Sequence, residues 1–171
     1  MENVSGTPGP DDLKATSADT RLAGGAGDDV LRGGKGNDIL IGGAGDDIMS
    51  GGAGADQFRF IASLYEGDGG ADTDRIVDLN FSEGDWLVFE NYADGTWEDA
   101  PGLAVFDADT DAIVSSWTGL VNLVEGADNV TATGNAGLNL LVVRIEFDGG
   151  KVQEIRITNG YDDYVAAGGT L

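Results

Sequence analysis

Four aspartates, Asp29, Asp38, Asp47 and Asp56, recur at intervals of nine residues, and glycines stand at fixed offsets before each. From Gly24 the chain reads GGAGDDVLR, GGKGNDILI, GGAGDDIMS and GGAGADQFR, four consecutive units over residues 24–59 with no insertion. Each fits G-G-x-G-x-D-x-U-x, where U is a large apolar residue: Leu31, Leu40, Met49 and Phe58. The glycines are Gly24, Gly25 and Gly27, then Gly33, Gly34 and Gly36, then Gly42, Gly43 and Gly45, then Gly51, Gly52 and Gly54. Glycine permits positive φ and close backbone approach, so three per unit allow a tight loop whose carbonyls turn toward one centre. The aspartate adds a charged oxygen. Such a donor set suits a hard cation: Ca²⁺ takes about six to eight oxygens in flexible geometry, whereas Mg²⁺ prefers to keep its waters. Aspartates that merely start turns would not need glycines at the same offsets four times over. Calcium is therefore the predicted ligand. The fifth positions, Asp28, Asn37 and Asp46, read as solvent-facing residues that steady the loops.

Other chemistry is excluded by what the chain lacks. Its 171 residues carry 9 Lys and Arg against 31 Asp and Glu, a net charge of −22, with no Cys and no His. A disulfide scaffold, a thiol nucleophile, a Cys/His metal site and a His general base are thereby ruled out. Nothing singles out one pair of carboxylates for glycoside hydrolysis, and no helix period follows the glycines to make a phosphate loop, so no catalytic residue and no enzyme is predicted. The shortage of Lys and Arg argues against nucleic acid and anionic lipid as partners. No apolar run approaches the roughly 20 residues of a membrane helix, so membrane insertion is not expected. The first residues, MENVSGTPGPDDLK, lack the basic and apolar regions of a cleaved leader.

The elements that position the aspartates follow from the second half of each unit. The x-U-x triplet is long enough for a short strand with its central side chain inward and its neighbours outward. Stacked units then form parallel ladders with an interior of Leu31, Leu40, Met49 and Phe58 and edges lined by carboxylates. In the same frame, residues 6–14 keep Gly6, Gly9, Asp11 and Leu13, and residues 15–23 keep Leu22, as degenerate outer turns. Residues 60–68 break the pattern, and residues 69–77 recover Gly69, Gly70, Asp74 and Ile76.

The nonads resemble those of the RTX (repeats-in-toxin) family. The resemblance implies an all-β fold, a right-handed parallel β-roll in which two nonads make one coil and each Ca²⁺ lies between the loops of nonads n and n+2. One site would then pair Asp29 with Asp47 and the next Asp38 with Asp56, with glycine-loop carbonyls completing both. Asp11 would add a site with the 24–29 loop, or the 15–20 loop would pair with Asp38, for about two to four ions in all. GGAGADQFRF followed by DRIVDLNFSEGDWLVF at 74–89 is similar to the roll-closing segment of serralysin-type metalloprotease C-terminal domains and alginate-epimerase R-modules. This chain departs from it at Leu79, where those proteins carry Phe, and at Trp86.

The expected organisation is degenerate repeats at 1–23, the nonapeptide roll at 24–59, a closing segment at 60–89 and a β-rich C-terminal cap at 90–171. From the end of the closing segment onward, residues 86–90, 103–106, 112–117 and 120–124 read as short strands, and 140–147 with 152–158 as a hairpin. Asp107-Ala108-Asp109-Thr110-Asp111 is similar to the start of an EF-hand loop, but Ala112 and Thr118 stand where that loop needs Gly and Glu, so it reads as a polar turn. Residues 134–142 mimic a nonad out of frame and read as a turn before a strand. Between Ile76 and Val143 there are twelve acidic residues and no Lys or Arg. The plain reading of this stretch is a solvated face; because unmatched carboxylates repel, the alternative is that part of the region also needs cations, with Asp74, Asp78 and Asp85 the first candidates.

Function follows from the charge. Without Ca²⁺, self-repulsion and glycine entropy oppose compaction; with it, binding free energy becomes folding free energy. Extracellular Ca²⁺ modules work at about 10⁻⁴–10⁻³ M, so the switch would follow compartment. The resemblance further implies export by type I secretion machinery and an extracellular location, and Asp163-Tyr164-Val165 is similar to the acidic-plus-apolar ends of such export signals. Two alternatives stand beside this reading. One is a polysaccharide- or surface-binding module, with Tyr92, Trp97 and Trp117 either a stacking platform or core; the other is the C-terminal part of a secreted enzyme.

Overall fold

The computed structural model describes residues 1–61, 71–90, 104–107, 111–127, 130–146 and 152–171. The apolar residue of each repeat sets the architecture. Strands β1 (Glu2–Ser5), β3 (Thr20–Ala26), β5 (Ile39–Ala44), β7 (Gln57–Ile61) and β9 (Trp86–Glu90) pair in parallel in one sheet. Strands β2 (Asp12–Lys14), β4 (Val30–Lys35), β6 (Ile48–Ala53) and β8 (Ala71–Ile76) do so in the other. Successive nonads therefore alternate between sheets, and two make one coil.

Register aligns like residues. Val4, Leu22, Leu40, Phe58 and Leu87 face one another along the first sheet, and Leu13, Leu31, Met49 and Ile76 along the second. All but the outermost, Val4 and Leu13, are buried. A one-residue slip would turn each row outward, so the apolar position pins the register.

The C-terminal half continues both sheets. In the first, β11 (Asp111–Val114) runs antiparallel to β9 and pairs antiparallel with β10 (Ala104–Asp107), and residues 108–110 of the expected polar turn lie outside the described residues. In the second, β14 (Val152–Thr158) lies parallel to β8, carrying Ile157 beside Ile76, and β13 (Leu140–Glu146) and β12 (Val130–Asn135) follow antiparallel. The predicted 140–158 hairpin is present in its described residues, with Val143 and Ile145 inward and Arg144 and Glu146 outward. Phe147 lies outside the described residues. The cap is thus the far end of the same two sheets, and it covers a strand edge that an open roll would expose.

One expected strand is a helix. Residues 120–124 fall inside α1 (Trp117–Gly126), whose N-cap Ser116 accepts a hydrogen bond from the Gly119 N–H. Leu120, Leu123, Val124 and Ala127 lie on its core-facing side at helical spacing, a period that short apolar runs hide. A second helix, α2 (Tyr161–Ala166), carries the 163–165 segment and buries Tyr164. Residues 134–142 form the end of β12, a 3₁₀ turn at Ala136–Leu138, left-handed Asn139 and the start of β13. Trp117 packs edge-on against Phe81, its ring centroid 5.0 Å away. Tyr92 and Trp97 lie outside the described residues.

Candidate metal centre

Each repeat aspartate leaves its loop at the point where the strand begins, and its carboxylate turns back onto the preceding coil. The Asp29 N–H donates to Asp47 Oδ1 at 2.8 Å, and the Asp38 N–H to Asp56 Oδ1 at 2.8 Å. The degenerate turns join the same ladders: the Asp11 N–H donates to Asp29 Oδ1 and the Thr20 N–H to Asp38 Oδ1, both at 2.7 Å. Two columns result. Asp11, Asp29 and Asp47 stand along one corner of the roll, and Thr20, Asp38 and Asp56 along the other. Asp29 thus touches Asp47, and Asp38 touches Asp56, through a backbone N–H to carboxylate hydrogen bond between nonads n and n+2.

Both columns run one step beyond the nonads. Asp74 Oδ1 accepts from the Asp47 N–H and Asp85 Oδ1 from the Asp56 N–H, each at 3.0 Å. The frame breaks at these steps, because the intervals are 74 − 47 = 27 and 85 − 56 = 29 residues instead of 18. Asp74 is legible as the aspartate of the 69–77 remnant; Asp85 lies in no nonad. Asp78 does something else. Its Oδ1 accepts the Gly51 N–H and its Oδ2 the Gly52 N–H, each at 3.0 Å, with the Ser50 hydroxyl on Oδ2 at 2.6 Å, so it closes the last loop.

The other carboxylate oxygen carries the chemistry. Oδ2 of Asp29, Asp38, Asp47 and Asp56 is buried and has no hydrogen-bond partner. The four residues are at most 1% exposed. A buried, unpaired carboxylate costs on the order of several kcal/mol, so four of them require a counter-charge.

The first glycine of each unit makes room for one. A Cβ on Gly33 would lie 2.5 Å from Asp38 Oδ2 and 2.6 Å from the Gly51 carbonyl oxygen of the next coil. On Gly24 it would meet Asp29 Oδ2 and stand 2.6 Å from the Gly42 carbonyl oxygen. Carboxylate and carbonyl oxygens from nonads n and n+2 therefore converge where a side chain is missing. The glycines at the second and fourth positions instead turn the backbone. Gly43 and Gly45, for example, adopt φ of +120° and +118°, which other residues rarely tolerate.

At Gly6 a Cβ would likewise meet Asp11 Oδ2 and the Gly24 carbonyl. Asp11 differs in that its Oδ2 already accepts the Thr7 N–H at 2.6 Å and the Thr7 hydroxyl at 2.9 Å. Among the described residues no group of three carboxylates converges, so a cation here would draw its remaining oxygens from loop carbonyls. The donor set is all oxygen, partly anionic and short of positive charge. It fits calcium.

The fifth positions are exposed and act as loop ties. Asp28 Oδ1 accepts the Asp46 N–H at 3.0 Å and Asn37 Oδ1 the Ala55 N–H at 3.0 Å, so these side chains point along the ladder and away from the buried oxygens.

Comparison with known proteins accords with this geometry. Residues 5–40 and 23–58 match the RTX calcium-binding nonapeptide repeat, in four copies. Residues 5–58 are an array of RTX calcium-binding repeats. No curated protein sequence matches the chain. Among solved structures, the chain is similar to the AlgE6R3 subunit of the Azotobacter vinelandii mannuronan C5-epimerase, with a TM-score of 0.53 and 24% identity, covering 94% of this chain and 81% of that one. The likeness shows the fold, a parallel β-roll, well past the repeats themselves.

Burial leaves an electrostatic mark on the RTX columns. It pushes the Asp47 carboxyl up to about 7 and that of Asp56 up to about 6, and neighbouring aspartates add to both shifts. Asp29, Asp38, Asp74 and Asp85 are raised for the same first reason. In the cation-free RTX roll these groups bind protons more tightly folded than unfolded. Their contribution to stability is therefore full below the unfolded value of 3.8 and is lost as pH rises through about 6 to 7. In EDTA the chain is accordingly expected to melt at a higher temperature at pH 5 than at pH 8. Calcium should reverse that order, since it binds the ionised form. An EDTA melting temperature equal or higher at pH 8 would show that the column carboxylates do not control folding.

Proposed function

We propose that this chain folds as it binds calcium outside the cell, after export in an unfolded form through type I secretion machinery. The observation that carries the reading is the set of four buried Oδ2 atoms without partners, two of them set against a glycine carbonyl of the next coil. The RTX repeats support calcium as the ion, and the four unsatisfied aspartates, shared between neighbouring coils, support a count of about two to four. Asp29 and Asp38 would hold it with the carbonyls of Gly42 and Gly51, and Asp47 and Asp56 would supply the next oxygens along each column. The ion contributes charge neutralisation there, and the protein holds the oxygens in place. Among the described residues no helix is long and apolar enough to cross a membrane. Calorimetric titration tests the binding directly: Ca²⁺ should bind with a stoichiometry above one and a midpoint of about 10⁻⁴–10⁻³ M, and Mg²⁺ at the same concentration should not replace it. Absence of calcium uptake at 10 mM, a concentration about tenfold above that range, would end this reading.

A second reading is favoured by the distribution of positive charge. Lys14, Arg32, Arg75, Arg144 and Arg156 are all exposed on the outer face of one sheet, with Lys14 beside Arg32 and Arg75 beside Arg156 in register. Asp12, Glu146 and Glu154 form ion pairs with three of them. In a chain of net charge −22, this face could receive an acidic polysaccharide such as a polyuronate, in a module attached to a secreted enzyme. Retention on an immobilised polyuronate in calcium, abolished by Arg75→Glu with Arg156→Glu, would establish it; passage in the flow-through would exclude it.

A further inference from the structure

The aspartates of the two columns differ at their outer oxygen. In the middle of the roll Oδ2 meets no donor, but at each described column end that carries an aspartate it does. Thr7 serves Asp11, the Asn80 N–H donates to Asp85 Oδ2 at 2.7 Å, and Gln153 Nε2 donates to Asp74 Oδ2 at 3.0 Å. The last of these comes from the cap, 79 residues along the chain.

Gln153 is 1% exposed and lies on β14 opposite Asp72 of β8 in register. Its orientation is dictated by its neighbour, because turning Oε1 toward Asp74 would set two acceptors face to face. The NH₂ group therefore faces the carboxylate, and Oε1 is left buried without a partner. An apolar residue would fill this inward position without stranding an acceptor. Ile155 and Ile157, the next two inward residues of the strand, do so. The amide is thus retained at a cost, and the group that benefits is Asp74.

We propose that Gln153 is the stop of one cation column. Its amide does for Asp74 what a cation does for the inner aspartates, so it sets how many ions the roll accepts and docks β14 on the last coil. The inference rests on the calcium reading. It adds that the Asp47–Asp74 step is the boundary between ion-held and protein-held carboxylates, and that the cap is keyed to this boundary.

Replacing the amide by a carboxylate should move the boundary. Native mass spectrometry of the full chain in about 2 mM Ca²⁺, roughly twofold above the extracellular-module range, should count one more ion for Gln153→Glu than for the wild type. Gln153→Met keeps volume and apolar fit but removes the donor. By leaving Asp74 Oδ2 without a donor, it should raise hydrogen exchange at β14 amides by about tenfold, while β4 and β6 stay protected. A folded Gln153→Glu chain with the wild-type ion count overturns the proposal. If that variant does not fold, unchanged β14 exchange in Gln153→Met overturns it instead. A wild type that takes up no calcium would defeat the underlying reading, an outcome separate from either of these.

Discussion

Stripped of divalent cations at neutral pH, the chain is expected to lose most of the circular dichroism of its roll and to regain it cooperatively as Ca²⁺ rises through about 10⁻⁴–10⁻³ M. The roll strands are three to seven residues long, and each nonad buries only one large apolar side chain, or two in the second, where Ile41 joins Leu40. Against that small gain stand four buried unpaired carboxylate oxygens and a net charge of −22. A coil contacts only its neighbours, so ions that tie n to n+2 make the transition cooperative along the stack. The cap should respond less. The antiparallel set β12–β13–β14 and helix α1 bury Leu120, Leu123, Leu141, Val143 and Ile145 together, with no carboxylate among them. A residual signal in EDTA is therefore expected from residues 117–158, with hydrogen exchange in calcium-free buffer fast at β3–β6 and slower at β13. Full protection of β3–β6 in EDTA would mean that the columns are static scaffold, and the switch would have to be abandoned.

How far the sequence alone reached is explained by where periodicity holds. Within 24–59 the repeat fixes element, register and contact at once, because Leu31, Leu40, Met49 and Phe58 can face inward in one frame only, and that frame brings Asp29 against Asp47 and Asp38 against Asp56. Even there, two kinds of glycine were indistinguishable in the sequence. Gly42 is excluded from bearing a side chain by the Asp47 carboxylate, whereas Gly43 needs its positive φ. Past residue 60 the period fails while the ladder continues. Asp85 takes its place through a 29-residue step, and Gln153 arrives through pairing of β14 with β8, a contact no local pattern encodes. Helix α1 was obscured for a simpler reason: Leu120, Val121, Leu123 and Val124 form a run short enough to read as either element.

Substituting Asp29→Asn and Asp38→Asn together should separate the two roles of the buried carboxylate by changing them in opposite directions. Each amide keeps Oδ1 as acceptor for the N–H of Asp11 or Thr20, so the ladder hydrogen bonds persist. In place of Oδ2, an uncharged NH₂ group would stand on the side of the Gly42 or Gly51 carbonyl, so each column loses a buried anionic acceptor. Without calcium the variant is therefore expected to be more folded than the wild type, because a buried charge has been removed from each column. With calcium it should be less responsive, its titration midpoint raised by about tenfold or more, since one anionic oxygen per site is gone and affinity follows ligand charge. The matching change at the fifth position, Asp28→Asn with Asp46→Asn, removes the same two charges from exposed loop ties and should shift the midpoint by no more than about twofold. Dichroism-monitored titrations of the three proteins distinguish the cases. If both double variants moved the midpoint equally, overall charge would govern folding and the buried columns would hold no privileged ion. If the inner variant lost structure in EDTA as well as in calcium, the aspartates would be needed for packing, and the orphaned oxygens would require another explanation.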